Sequence, residues 1–171
     1  MTVASYLVRE ARQSDAASIV AWFASKEEAI LWAGHDLPAQ VDAGWLAGEI
    51  AAPEQRYRVF AEPDGRDIVA IYGFRFFAAE RRAHLRRVAV NPRRRGLGIG
   101  RLLMTDALSV ARGGEVQTMS LNVYGSNTVA IRLYEAMGFR TRLTTPAPED
   151  PSHLNLFMSV QFGETCGAGT W

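Results

Sequence analysis

The sequence has little cysteine and little lysine, with Cys166 and Lys26 the single examples of each among 171 residues. One cysteine excludes an internal disulfide framework and a metal site built from four cysteines. No apolar run reaches the roughly 18 residues of a membrane span, and the first residues contain no apolar segment of signal-peptide length. A cytoplasmic location is therefore expected, and the Gly-rich end, residues 163–171, is expected to be a flexible tail.

Length and composition predict one domain over residues 1–171, with an ordered core from about 6 to 162. Hydrophobic residues make up 48% and charged residues 22%, which is typical of a soluble globular protein. The net charge of +1 gives no support to a general nucleic-acid-binding role. However, 8 of the 19 basic residues lie between Arg81 and Arg101, as expected at an anionic ligand site or along a solvated basic strand edge.

Apolar periodicity predicts the order β-α-α-β-β-β-α-β-α-β-β. One long helix is expected over residues 14–29 with Ser14 as its cap, and a weaker helix is expected to start at Pro38. The segment 83–123 reads as a parallel strand-helix-strand crossover. The predicted fold class is therefore α/β of the α+β kind: a mixed, mostly antiparallel sheet of about seven strands with helices on both faces.

The stretch "RRRGLGIG", residues 93–100, places three alternating glycines directly before an apolar helix. The first N–H groups of a helix are unpaired and carry the positive end of its dipole, and glycine lets an anion approach this backbone closely. The alternative is an ordinary tight strand-to-helix turn. The segment lacks the G-x-G-x-x-G spacing of dinucleotide-binding folds and the Gly-Lys-Ser/Thr ending of nucleotide triphosphate loops, which counts against both.

Two segments together resemble the GNAT superfamily of acyl-CoA-dependent N-acyltransferases. "VAVNPRRRGLGIGRLLM" is similar to the acyl-CoA signature Gln/Arg-x-x-Gly-x-Gly/Ala, which Arg95, Gly98 and Gly100 match. "LNVYGSNTVAIRLYEAMGF" resembles the second family motif, and the element order agrees with that fold from about residue 6 to 162. The matching positions of the second motif are Asn122, Asn127, Ala130, Tyr134, Gly138 and Phe139.

The resemblance implies an enzyme that moves an acetyl group from acetyl-CoA to a primary amine by direct attack, with acetyl-CoA as co-substrate and no metal. It implies that the turn holds the CoA pyrophosphate, that nearby arginines contact phosphate oxygens, and that the preceding strand presents its backbone to the pantetheine arm. Asn127 is expected to cap a helix and also to contact this arm. The implied cofactor-binding residues are Val88, Ala89, Val90, Arg93, Arg94, Arg95, Gly96, Leu97, Gly98, Ile99, Gly100, Arg101, Asn127 and Tyr134.

The resemblance also implies that Tyr134 is the general acid that protonates the departing thiolate, although a buried tyrosine is often only core filler. Ordinary pKa values of about 10 for a phenol and about 8.5 for a thiol make this transfer uphill by about 2 kcal/mol, which a positioned hydrogen bond can offset. The amide N–H of Val90 is the candidate donor to the developing oxyanion.

The general base is assigned to His84, because some family members carry a glutamate near this position and a histidine pKa of about 6.5 suits the role. Strand alternation predicts that His84, Arg86, Val88 and Val90 share one face. His84 could equally be a half-exposed strand histidine without a chemical role, and the amine could attack directly with water taking its proton. The other candidates for the base are Glu27, Glu28, Glu80 and His153.

In this fold the amine acceptor is expected between the first helix pair and the last hairpin. Acidic side chains there would favour a cationic amine, although a solvated acidic loop explains them equally well. Polyamine, antibiotic, amino acid and protein N-terminus all remain open as acceptors. The candidate lining residues are Trp22, Phe23, Trp32, His35, Asp36, Asp150 and His153.

The alternative function is a catalytically inactive acyl-CoA-binding sensor or regulatory module, against which the presence of Tyr134 argues. A nucleic-acid partner is not expected, because aromatic residues do not interleave the arginines of 81–101. No membrane partner is expected either. Since dimers are common among similar proteins, a homodimer is left open.

Overall fold

A computed structural model describes residues 6–33, 41–114, 116–147 and 151–163. The strands of these ranges form one sheet in the order β1-β2-β3-β4-β5-β7-β6. The strands are β1 Leu7–Glu10, β2 Gln55–Ala61, β3 Ile68–Phe77, β4 Arg82–Val90, β5 Thr118–Tyr124, β6 Arg140–Pro146 and β7 Leu154–Gln161. The α-helices are α1 Ala16–Val20, α2 Lys26–Ala33, α3 Ala43–Ala51, α4 Ile99–Gly113 and α5 Thr128–Ala136.

The sheet is mostly antiparallel, and β4 and β5 form its parallel pair. Helix α4 connects these two strands, since parallel neighbours need a crossover connection. This arrangement confirms the predicted mixed sheet and the crossover between residues 83 and 123. It also places the starts of α4 and α5, which follow β4 and β5, at the same edge of the sheet.

Apolar side chains pack on both faces of the sheet. Helices α4 and α5 cover one face, where Leu103 and Tyr134 belong to a core that includes Phe74 and Leu85. Helices α1 to α3 cover part of the other face, where Ile19 and Leu46 pack with residues of β2, β3 and β4. The prediction of helices on both faces is therefore confirmed.

The prediction of one helix from Ser14 to residue 29 is wrong, because the chain forms α1 and α2 with a turn between them. A variant of the capping box starts the second helix, in which Glu28 accepts from Ala24 rather than from the N-cap residue Ser25. The N–H of Glu28 donates to Ser25 Oγ at 3.2 Å, and the N–H of Ala24 donates to Glu28 Oε2 at 2.9 Å. These bonds satisfy N–H groups that a helix start leaves unpaired, and they favour a break at Ser25.

Helix α3 begins at Ala43, later than the predicted start at Pro38, which lies outside the described residues. Asp42 caps it by accepting a hydrogen bond from the N–H of Trp45 at 2.9 Å. None of the helices in the described ranges is long and apolar enough to cross a membrane. The same ranges contain no group of three or more His, Cys, Asp or Glu side chains arranged to bind a metal ion.

Candidate active site

Strands β4 and β5 separate halfway along their length. Their pairing ends at Leu85 and Leu121, but β4 continues to Val90 and β5 to Tyr124. On the other side of β4, Asn91 donates its N–H to Val69 O at 2.9 Å. Because N–H directions alternate along an antiparallel strand, the N–H of Val90 points away from β3 and into the gap. The gap is therefore lined by strand backbone with an available donor.

A β-bulge interrupts β4 just before this open segment. Ala89 pairs with Ile71 and Arg86 with Gly73, so β4 carries one more residue than β3 over this span. Arg87 lies at the bulge with φ of 54°, in the left-handed region that costs a non-glycine residue about 1–2 kcal/mol. The extra residue reverses the alternation of the side chains that follow it.

The prediction that His84, Arg86, Val88 and Val90 share one face is therefore wrong. Val88 and Val90 pack on the α4/α5 face, whereas Ala89 packs on the face covered by α1 to α3. His84 and Arg86 precede the bulge and lie on the α1–α3 face, opposite the side on which Leu85 packs. The bulge thus places the side chain of His84, the candidate base, on the opposite face of the sheet from Val88 and Val90. His84 still lies next to the gap.

A half-buried carboxylate, Glu49 of α3, holds the bulge in place. It lies 3.3 Å from Arg86 Nη2 and 3.5 Å from Arg87 Nη2. It also accepts hydrogen bonds from the Tyr57 hydroxyl at 2.8 Å and from Gln55 Nε2 at 3.1 Å. Burial alone would raise the pKa of Glu49, but these hydrogen bonds and the two guanidinium charges together lower it below its ordinary value.

Arg87 is 5% exposed, and its guanidinium stacks over the Trp45 ring with 5.2 Å to the centroid. This contact and the carboxylate of Glu49 offset the strain of the positive φ. Sequence reasoning did not select Glu49, because its arginine partners lie 37 and 38 positions further along the chain.

The glycine-rich turn follows β4 and leads into α4. Gly96 and Gly98 both have φ of 79°, and a Cβ at either position would meet no atom within 4 Å. The N–H groups from Gly96 through Gly100 find no acceptor in the described part of the chain, whereas the N–H of Arg95 donates to Pro92 O and that of Arg101 to Gly98 O. Consecutive unpaired donors at a helix start are suited to bind an anion.

Gly100 has a different role in the turn. A Cβ there would lie 3.3 Å from Leu133 Cδ2, so this glycine lets α4 pack closely against α5. Ile99 is fully buried in the core. The third glycine of the motif is therefore explained by helix packing, and the first two by the conformation of the open turn.

The arginines around the turn are not equivalent. Arg94 forms an ion pair with Glu62 at 2.8 Å, and Arg95 Nε donates to Val90 O at 3.4 Å. Arg93 and Arg101 are exposed and have no ion pair among the described residues. Arg95 is also exposed and has no ion pair there, and its Nη groups make no hydrogen bond within the described residues. These three arginines are thus the guanidinium groups at the turn that are available to phosphate oxygens.

Two exposed apolar side chains flank the same edge of the sheet. Leu97 in the turn is 62% exposed and Val129 in the first turn of α5 is 81% exposed. Sequence reasoning did not select Val129, although an apolar residue at the start of a helix that follows a parallel strand could have indicated it. Such side chains suit contact with an apolar part of a ligand.

Asn127 caps α5, because its Oδ1 accepts a hydrogen bond from the N–H of Ala130 at 3.2 Å. The predicted cap is confirmed. The side-chain NH₂ group makes no hydrogen bond within the described residues.

Tyr134 lies on α5 in the main core, 6% exposed, with its ring 6.0 Å from that of Phe139. Its hydroxyl has no hydrogen-bond partner in the described ranges. Burial raises the pKa of Tyr134 well above its ordinary value of about 10. The phenol therefore stays protonated, and giving its proton to a thiolate is harder than the unperturbed pKa values indicate.

His84 lies next to the point where the gap opens and pairs with Ser120 of β5. Its Nδ1 is 2.9 Å from Ser120 Oγ, which also accepts a hydrogen bond from Arg82 Nη1 at 3.0 Å. Ser120 is fully buried. The histidine ring is thus oriented by its neighbours, a role for Ser120 that the sequence alone did not reveal.

The remaining candidate bases have structural roles or lie elsewhere. Glu28 forms the capping box of α2, and Glu80 pairs with Arg82 at 2.7 Å. His153 is exposed in the turn before β7. The side chain of Glu27 lies outside the described residues.

Three predicted lining residues form an aromatic cluster near the α1–α3 face of β4. Phe23 and Trp32 stack with 4.4 Å between centroids, and Trp22 lies 6.5 Å from Phe23. Trp45 adds an edge contact to Trp32 at 6.2 Å. Three further predicted residues of the acceptor pocket lie outside the described residues: His35, Asp36 and Asp150.

Comparisons with known proteins agree with this geometry. The chain is 32% identical over 127 residues to the mycothiol acetyltransferase of Streptomyces griseus, a match that covers 61% of this chain and 41% of that protein. The chain spans less than half the length of the curated relatives that it matches. This chain is therefore similar to only a part of each of these longer relatives.

Solved structures share the fold. The yncA protein of Salmonella typhimurium, whose structure contains acetyl-CoA, superposes with a TM-score of 0.75 at 20% identity, covering 98% of this chain and 99% of that one. The ribosomal-protein-S18-alanine N-acetyltransferase of Escherichia coli gives 0.70 at 18% identity, covering 98% and 100%. The profile of the Acetyltransferase (GNAT) family matches residues 6–139. The chain therefore belongs to the acetyltransferase (GNAT) family.

Proposed function

We propose that this chain is an N-acyltransferase that moves an acetyl group from acetyl-CoA to a primary amine by direct attack. The observation that carries the proposal is the run of five N–H groups, Gly96 to Gly100, which find no acceptor in the described chain at the edge where β4 and β5 separate. Two open glycines lie among these donors, and three arginines of the turn have no ion pair within the described ranges. Their chemistry fits a diphosphate.

The strand next to the turn fits the rest of the co-substrate. When bound, acetyl-CoA supplies an acetyl group activated as a thioester. Val88, Ala89 and Val90 offer backbone groups along the gap, and Asn127 offers its side-chain NH₂ from the opposite helix. The N–H of Val90 is the donor available to stabilise negative charge that develops on the carbonyl oxygen.

We assign the two proton transfers to His84 and Tyr134. His84 takes the proton that the amine loses when its nitrogen attacks the carbonyl carbon, directly or through a water. The Tyr134 hydroxyl holds the proton that the sulfur receives as the carbon–sulfur bond breaks. One proton enters and one leaves the protein, so the enzyme returns to its starting state once the two residues exchange a proton with solvent.

A second candidate function is a module that binds acyl-CoA without turnover. The observation that favours it is the deep burial of Tyr134, whose raised pKa opposes the role of acid. Measuring thiol release from acetyl-CoA with a panel of primary amines separates the two functions. An enzyme releases thiol with at least one amine, whereas a sensor binds acetyl-CoA and releases none.

Cytoplasmic location, an amine partner and a homodimer are parts of the same proposal. Location and oligomeric state are checked by fractionation of cells and by light scattering of the purified chain.

A further inference from the structure

A row of directly paired side chains crosses the α1–α3 face of the sheet just below the gap. Arg75 of β3 pairs with His84, His84 pairs with Ser120, and Ser120 pairs with Ser159 of β7. Paired side chains lie about 5 Å apart on one face. At the far end, Arg142 of β6 donates from its Nε to Ser159 Oγ at 3.0 Å. We call this set the polar row.

The arginines on this face differ in whether a carboxylate neutralises their positive charge. Arg82 pairs with Glu80 at 2.7 Å, and Arg86 lies 3.3 Å from Glu49. Arg75 stacks over a phenylalanine ring, and neither it nor Arg142 has a carboxylate partner among the described residues. Both side chains are exposed. Within the described residues, the polar row therefore presents positive charge without a carboxylate partner on either side of His84.

Arg142 is the better placed of the two for a specific contact. Because its Nε is held by Ser159, the guanidinium lies over β7 with both Nη groups available within the described part of the chain. Ser159 is 7% exposed, so the hydroxyl that accepts this hydrogen bond is buried and held in place by its surroundings. A planar guanidinium fixed through Nε can bind a carboxylate or phosphate with its two Nη groups.

We propose that the acceptor amine carries an anionic group, a carboxylate or a phosphate, and that Arg142 determines this specificity. The inference rests on the proposed function and names the substrate class of the same site. It departs from the sequence-based expectation of a cationic acceptor, because Arg75 and Arg142 at the ends of the polar row have no carboxylate partner among the described residues.

The geometry limits the size of such an acceptor. Strands β4 and β7 are two strand spacings apart, roughly 10 Å. His84 and the Arg142 guanidinium, which is held at Ser159 of β7, are therefore close enough for one small molecule to contact both. This separation fits a short amino acid or an aminoalkyl phosphate better than a long diamine.

Matched amine pairs test the inference with the full chain and saturating acetyl-CoA. The pairs are glycine with glycinamide, β-alanine with β-alaninamide, and phosphoethanolamine with ethanolamine. The first two report on a carboxylate and the third on a phosphate. We expect kcat/KM to be at least tenfold higher for the anionic member, either in the two carboxylate pairs or in the phosphate pair. The carboxamides have less basic amines and are less protonated, which works against this expectation.

Substitution of Arg142 tests whether this residue causes the preference for the anionic amine. In Arg142→Gln the ratio within each pair should fall towards one, while kcat/KM for the neutral member and KM for acetyl-CoA stay unchanged. Arg140→Gln is the matched control, because Arg140 lies on the same strand but donates to the backbone oxygens of Phe139 and Glu135. It should keep the wild-type ratio.

Three results would overturn the inference. Neutral members that equal or exceed their anionic partners would exclude an anion site, and an unchanged ratio in Arg142→Gln would exclude this arginine; both leave the transferase intact. Binding of acetyl-CoA without thiol release for any amine would instead refute the proposed function, and the acceptor site with it.

Discussion

The two halves of β4 belong to one continuous strand but serve different purposes. The first half, Arg82 to Leu85, pairs with strands on both sides and is fixed within the sheet. The second half, Val88 to Val90, pairs on one side only and leaves its other edge open to the gap. The difference begins at one inserted residue, Arg87, whose bulge changes the side-chain alternation.

This comparison separates stability from binding within one strand. The closed half gains from cross-strand pairing and burial, so changes there should affect the free energy of unfolding. The open half and the turn after it leave N–H groups unpaired, which is unfavourable unless a ligand accepts their hydrogen bonds. Changes there should affect affinity for acetyl-CoA and leave stability nearly unchanged.

The largest effect is expected for Gly98→Val. A β-branched residue strongly disfavours the φ of 79° found there, so the turn should rearrange and withdraw its donors. Loss of two charge-assisted hydrogen bonds, about 4 kcal/mol, predicts acetyl-CoA binding weaker by roughly 1,000-fold in calorimetry. Gly113→Val at the end of α4, where a Cβ meets nothing within 4 Å, is the control and should bind normally. Unchanged affinity in Gly98→Val would contradict the assignment of the turn.

Tyr134→Phe removes the proposed acid without changing the packing of the ring. We expect kcat to fall by roughly 100-fold, the usual contribution of a positioned acid, with the Kd for acetyl-CoA nearly unchanged. Because the hydroxyl has no partner in the described ranges, the thermal midpoint should not fall. Wild-type turnover in this variant would mean that water or another group protonates the sulfur.

His84→Ala tests whether His84, in the closed half of β4 next to the gap, is the general base. A base must be deprotonated to act, so kcat/KM should rise with pH through the range of a histidine, around 6.5, in the wild type. The variant should lose this rise, together with roughly 100-fold of its activity near neutral pH. His153→Ala, in the exposed turn before β7, is the matched control. If His153→Ala abolishes the rise and His84→Ala does not, the assignment of the base is wrong.

Glu49→Gln removes the charge that holds the bulge and leaves Arg86 and Arg87 without their carboxylate. We expect a loss of about 2–3 kcal/mol in the free energy of unfolding, measured by urea denaturation at neutral pH. Because the folded protein lowers the pKa of Glu49, this stabilisation is present above the unfolded value of about 4.3 and is lost as pH falls through the folded value. The difference between wild type and variant should therefore shrink in acid.

Glu80→Gln is the control for this measurement, since Glu80 pairs with Arg82 at the surface with 56% of its side chain exposed. An exposed pair contributes less than about 1 kcal/mol. If both variants lose the same stability, the bulge is not held by Glu49.

The smallest effect is expected at Asn127. Asn127→Ala removes the cap of α5 and should cost about 1 kcal/mol, whereas Asn127→Ser keeps a capping oxygen and should cost much less. If the side-chain NH₂ also contacts CoA, both variants should weaken acetyl-CoA binding by a similar factor. Equal affinity in all three proteins would limit Asn127 to capping.

Features set by neighbours in the sequence could be predicted. The glycine-rich turn, the cap at Asn127 and the crossover helix follow from local patterns. The break at Ser25 could have been predicted as well, because "SKEE" contains the capping-box spacing. It was missed because apolar periodicity continues across the turn.

Features set by distant partners could not be predicted. The bulge at Arg87 depends on Glu49 and Trp45, whose proximity no local pattern reports. Two successive arginines in a strand, Arg86 and Arg87, are compatible with alternation or with a bulge. The polar row likewise depends on the registers of β5, β6 and β7, which fix which side chains meet.

The central claim is that the turn after β4 binds the diphosphate of acetyl-CoA. Isothermal titration calorimetry of the folded wild-type chain with acetyl-CoA tests it most directly. We predict saturable binding of one molecule per chain, which Gly98→Val weakens by roughly 1,000-fold and Gly113→Val retains. Absence of binding to the folded wild type, or equal binding by Gly98→Val, would contradict the claim.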